Sequence, residues 1–148
     1  VPARDHYELR IFIAGATADN IRITTNNATG NEDFSANHTS EFLDNVGGVA
    51  TAVASVSDRG IRLDTGSLTT AGSYIVDVTA TTTANKFFSW NGSRAGASAA
   101  ATPEGSVGTG IIFETATMPN EFIVFTGATS TNTFNAGSYI EVYGLPNP

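Results

Sequence analysis

An all-β fold, a sandwich or barrel of eight or nine short antiparallel strands, is predicted by three observations. Apolar and polar residues alternate with period two in short runs bounded by Gly, Asn, Asp and Pro, and helical spacing is nearly absent. Thr, Asn, Ser and Gly replace charged residues, which make up 14% of the chain instead of roughly a quarter. The 148 residues fit one domain, 1–148, able to bury about 70% of its unfolded surface.

The first run, Tyr7 to Ala14, sets Leu9, Ile11 and Ile13 on one face against Glu8, Arg10 and Phe12, so one face is core. Asn20 to Thr25 follows, with Ile21 and Ile23 inward. The polar stretch 26–42 reads as a long loop of the kind that often carries contacts. Val49 to Val56 comes after Gly47-Gly48, and its small side chains suit a closely packed strand or an interface. Short strands are expected at Ile61–Leu63, Tyr74–Thr79, Lys86–Trp90, Gly110–Thr115, Glu121–Thr126 and Ser138–Tyr143. The Ala/Gly/Ser-rich stretch from Arg94 to Gly108 reads as a second long loop.

Seven basic and fourteen acidic residues give a net charge of -7, with Lys86 the single lysine. No basic face can therefore neutralise a nucleic-acid backbone or an anionic membrane. No apolar run approaches the roughly 18 residues of a spanning helix, and a soluble protein is expected. Cysteine is absent, which removes disulfides, thiolate nucleophiles and cysteine metal sites together. Neither a cofactor nor a metal is expected, and the chain does not read as an enzyme.

The sharpest catalytic string is Leu63-Asp64-Thr65-Gly66-Ser67, similar to the active turn of aspartic proteases. That chemistry needs two carboxylates sharing one proton, and one copy is present, so a protease would have to be a homodimer using Asp64. The preferred reading is a strand ending in an Asp-Thr-Gly turn. His6 and His38 fall in an expected terminus and loop, without metal or nucleophile spacing. Gly108-Thr109-Gly110 lacks the third glycine and the helix of a dinucleotide site. Asp19, Asn20, Asn26, Asn27, Asn31, Glu32 and Asp33 offer oxygen ligands without calcium-loop spacing.

The single tryptophan, Trp90, stands beside Asn91 and Arg94, a set that could stack on a sugar and bond its hydroxyls. Alternation also places Phe88 and Trp90 together in the core, and that reading is preferred. The string Ala-Gly-Ser-Tyr-Ile occurs twice, at Ala71 and Ala136, without similarity continuing outward. It reads as an Ala-Gly turn with positive-φ freedom followed by the start of a strand. Tyr74, Tyr139 and Tyr143 are candidates for a subunit-facing aromatic surface.

The opening, Asp5 to Ile13, then Asn20 to Thr25 and the Asn26–Asn31 stretch with Phe34, resembles the start of jelly-roll domains in tailed-phage virion proteins. The close, Ala136 to Leu145 (AGSYIEVYGL), looks like the Gly-x-x-Ile-x-Val-Tyr-Gly-Leu ending of the same proteins. Gly72-Ser73-Tyr74 is similar to a strand of tumour-necrosis-factor-like trimeric heads. The resemblance implies a jelly-roll β-sandwich of about eight strands, a homotrimer on the virion surface. Its partners would be itself and other virion proteins such as the major capsid protein. It would decorate and cement a capsid or form a fibre head; a tail-fibre head binding a receptor or host glycan is the alternative. A chain that starts and stops close to its outer strands is expected of a compact decoration protein or of a piece of a longer fibre.

Overall fold

The computed structural model describes residues 5–15, 20–26, 37–46, 48–65, 71–81, 84–95, 103–113, 119–126 and 133–145. Ten strands and no helix occur among them. They are β1 (His6–Ile13), β2 (Ile21–Thr25), β3 (His38–Val46), β4 (Val49–Asp58) and β5 (Ile61–Arg62), then β6 (Gly72–Thr81), β7 (Ala84–Ala95), β8 (Pro103–Ile112), β9 (Phe122–Thr126) and β10 (Tyr139–Gly144). All pairings are antiparallel, in a seven-stranded sheet ordered β10-β1-β6-β7-β8-β3-β4 and a three-stranded sheet ordered β5-β2-β9. The result is the expected all-β, sandwich-like architecture.

The alternation in β1 buries Tyr7, Leu9, Ile11 and Ile13 against Val76 and Val78 of β6 and Phe88 and Trp90 of β7. Ile21, Ile23, Ile61 and Leu63 from the small sheet complete the same cluster, so both sheets share one core. Phe88 and Trp90 are core residues, as their spacing required. Between β3 and β4 the chain turns across two residues, and Gly48 takes φ +84, the left-handed backbone that so short a hairpin needs.

Two expected loops contain strand instead. The 26–42 stretch holds the start of β3, and Arg94–Gly108 holds the end of β7 and half of β8. The inward positions of β3 are His38, Ser40, Phe42 and Asp44, and those of β8 are Glu104, Ser106, Gly108, Gly110 and Ile112. Polar or side-chain-free residues at core positions erase the apolar alternation that marks a strand. They sit there because their neighbours are large or charged. A Cβ on Gly108 would lie 2.6 Å from Cζ2 of Trp90, and one on Gly110 would lie 2.7 Å from Cγ2 of Ile61.

The histidines also differ from expectation. His6 opens β1, its Nδ1 3.2 Å from Thr79 Oγ1, and His38 is fully buried on β3, its Nε2 2.9 Å from Thr24 Oγ1. Of the repeated string, only the second copy opens on a positive-φ turn, at Gly137 (φ +95). Gly72 is already within β6, where a Cβ would lie 3.1 Å from the Cβ of Arg94.

Candidate functional site

The densest polar cluster among the described residues lies inside the sandwich, where the segment after β5 crosses one end of the large sheet. Cross-strand register assembles it: Arg94 of β7 lies opposite Glu104 of β8, and Ser106 of β8 lies opposite Asp44 of β3. Tyr74 of β6 lies opposite Gly92 of β7. The missing side chain makes room for the phenol ring, since a Cβ on Gly92 would come within 2.5 Å of Tyr74 Cε1.

Asp64, two residues beyond β5, enters this end from above. Arg94 Nη1 stands 2.7 Å from its Oδ2, Tyr74 Oη donates to the same oxygen, and the Ile21 amide donates to Oδ1 at 3.3 Å. Arg94 Nε donates to Glu104 Oε2 at 2.8 Å, and Nη2 lies 3.6 Å from Asp44 Oδ2. Asp44 Oδ2 also accepts from the amide of Thr65, at 2.8 Å, and from its hydroxyl. Beside this group, Trp90 Nε1 donates to Leu63 O at 2.9 Å and lies 3.1 Å from Ser106 Oγ, which itself donates to Leu63 O.

One guanidinium thus serves three carboxyl groups in an interior where Asp44 and Asp64 are fully buried. Burial pushes the Asp64 carboxyl above its ordinary range, against the opposing pull of Arg94 and of the Tyr74 hydrogen bond. The Tyr74 phenol is raised by burial first and by the Asp64 charge second. Burial alone would lower Arg94, but Asp64, Glu104 and Asp44 together carry it above its ordinary range. A set of this kind locks one arrangement of strands, because any member left alone would be a buried uncompensated charge or donor.

Asp64, the residue that prompted the protease reading, is therefore an ion-pair partner in the core. A water-activating carboxylate needs solvent and a second carboxylate across a dimer axis, whereas Asp64 faces Arg94 and Tyr74. Gly66 and Ser67 of the same string lie outside the described residues.

The proposed sugar-binding set does not converge. Trp90 and Arg94 point into the sandwich, 3% and 5% exposed, while Asn91 points out of the opposite sheet face. Residues of one strand two or four apart share a face and adjacent residues cannot. The inward placement of Arg94 was legible from Phe88 and Trp90 by that rule; its carboxylate partners, on other strands, were not. Of the oxygen-rich set, Asn20 Oδ1 accepts from Arg22 Nε at 3.0 Å and Asn26 Oδ1 from the Asn120 amide at 2.8 Å. Asp19, Asn27, Asn31, Glu32 and Asp33 lie outside the described residues.

Among the aromatic candidates for a subunit contact, Tyr74 is enclosed by its own chain. Tyr139 and Tyr143 are exposed on β10, at the edge of the large sheet. Phe12 packs beside Tyr139, ring centres 5.5 Å apart, and Arg10 lies 5.0 Å over the Tyr143 ring. From this corner one row runs across the outward face through all seven strands: Glu141, Arg10, Ile75, Asn91, Val107, Leu43 and Ala52. Ile75, Val107 and Leu43 are each more than half exposed.

The chain matches no protein-family model, and it has no significant match among curated proteins or solved structures.

Proposed function

We propose that this protein is a non-enzymatic structural component of a phage virion surface, a jelly-roll domain that assembles as a homotrimer and decorates and cements the capsid or forms a fibre head. The observation that carries this reading is the outward face of the seven-stranded sheet. Tyr139, Ile75, Val107 and Leu43 are each 51–56% exposed there, with Val107 and Leu43 side by side, and several large apolar side chains exposed on one sheet face mark a place for another protein. Asp44, Asp64, Arg94 and Glu104 instead pair with one another inside, where they hold strands together. The opening and closing strings that resemble phage virion proteins also lie side by side, since β1 pairs with β10 from Tyr7↔Gly144 to Phe12↔Tyr139.

The test combines native mass with location. A trimeric mass, retention on purified capsids and loss of capsid stability when the protein is stripped are the expected results for a cementing protein. Retention on fibres in place of capsids would assign the fibre head. A chain that binds neither particle nor fibre, and stays monomeric in their presence, would overturn the reading.

A further inference from the structure

The large sheet ends on β4, which pairs with β3 alone among the described residues. Native proteins blunt such an edge with lysine, proline, inward charges or bulges, because its free amides and carbonyls template pairing with another strand. From Val49 to Val56 (VATAVASV) β4 carries no charge and no proline, in a chain of net charge -7. Its register with β3 is unbroken from Val49 to Ser55, the shift falling beyond, between His38 and Ser40 on the β3 side. The edge is thus regular and uncharged over seven residues, Val49 to Ser55.

We infer that β4 is a self-pairing edge: two copies of this chain join antiparallel through β4 about a twofold axis at Ala52, making one continuous sheet of fourteen strands. In an antiparallel pair related by a twofold, one residue must face its own copy, because directly opposed side chains share a sheet face. Ala52 is the midpoint of the regular segment. The outward face would then match Ala52 with Ala52, and Ala50 with Ala54. The inward face would match Thr51 with Val53 and Val49 with Ser55. Every pair is uncharged, and those on the outward face are identical. Leu43 lies directly opposite Ala52 on β3, with Val107 beyond it on β8. The apolar end of the outward row, Val107, Leu43 and Ala52, thus runs on through the axis into its symmetry copy.

A strand of another protein could use the same backbone groups, but the matched side chains and the missing charge favour a second copy. At the opposite edge of the same sheet β10 carries Glu141, so self-pairing there would bring carboxylates of two acidic molecules together. The inference does not rest on the virion reading. Tyr139 and Tyr143 stand at the opposite edge, so a contact there leaves β4 free. A single strand edge with small side chains falls below roughly 1,200 Å² of interface, in the range of transient complexes.

Sedimentation velocity on the intact chain across micromolar to near-millimolar concentration should show an association that Ala50→Glu/Ala54→Glu weakens at least tenfold. Those two changes set like charges opposite each other twice. Ala50→Lys/Ala54→Glu sets opposite charges in the same places and should restore association. All these side chains are solvent-exposed, so the variants should fold, which circular dichroism would check. The chain has no cysteine, so oxidative cross-linking reads the register directly. Ala52→Cys alone should form a covalent dimer, and Ala50→Cys should require Ala54→Cys as its partner in a mixture. An unassociated wild type with no Ala52→Cys cross-link, or equal cross-linking by every cysteine variant, would overturn the inference. So would equal weakening by both charged double variants.

Discussion

Arg94 Nη1 lies 2.7 Å from Asp64 Oδ2, with both side chains at 2% exposure or less. This pair ties the segment after β5, the edge strand of the three-stranded sheet, to the end of β7, the central strand of the seven-stranded sheet. A buried pair adds little compared with well-packed apolar residues of the same volume, but removing one partner strands the other. Arg94→Met should therefore cost about 3–5 kcal/mol, read as a lower urea midpoint with unchanged slope. Arg94→Lys should recover only part of the loss, because one ammonium cannot reproduce the planar fork that reaches Asp64 and Glu104 together.

Asp64 also sets a pH dependence. Its carboxyl is raised in the folded chain, with burial as the main cause, so the folded state holds that proton more tightly than the unfolded state does. The resulting stability is complete below the unfolded value, about 3.9, and is lost as pH rises through the higher folded value. Urea midpoints should accordingly fall as pH rises above about 4. Asp64→Asn should flatten that slope while lowering stability at every pH. A wild-type midpoint that rises over this interval would contradict the assignment.

Gly108 is a packing requirement. A Cβ there would meet the backbone oxygen of Glu41 and the Trp90 ring, both at 2.6 Å, so Gly108→Ala should destabilise by about 1–3 kcal/mol through overpacking. Gly48→Ala meets nothing within 4 Å but must hold φ +84, a strain of roughly 1–2 kcal/mol. Thermal unfolding of the two variants separates them: Trp90→Phe, which removes the ring atom at 2.6 Å, should offset part of the Gly108→Ala loss and none of the Gly48→Ala loss.

Trp90 is a built-in reporter. Being buried and bonded to Leu63 O at 2.9 Å, it should fluoresce at short wavelength, resist acrylamide quenching and shift to the red only on unfolding. Soluble glycans should leave the spectrum unchanged; a glycan-dependent shift would return Trp90 to the surface. Trp90→Phe should cost about 1–3 kcal/mol, because removing the indole NH takes away a donor from the buried Leu63 carbonyl and Ser106 hydroxyl.

Period-two alternation alone placed β1, β2, β6, β9 and β10 within a residue or two of their bounds, and put Leu9, Ile11, Ile13, Val76, Val78, Phe88 and Trp90 inside. Those features were legible because side-chain direction along a strand follows from backbone geometry and needs no partner. β3 and the first half of β8 were not, because His38, Asp44, Glu104 and Ser106 are buried polar residues whose partners come from other segments of the chain. Burial of Asp64 is tolerated only once Arg94, Tyr74 and the Ile21 amide converge on it, and burial of Asp44 only once the Thr65 amide reaches it, and that convergence depends on sheet order. Tertiary structure alone decided that Asp64 would be a core ion-pair partner, that Arg94 would face three carboxyl groups instead of a ligand, and that β4 would end the sheet. Each depends on which strands lie side by side, and local sequence does not encode that neighbour relation.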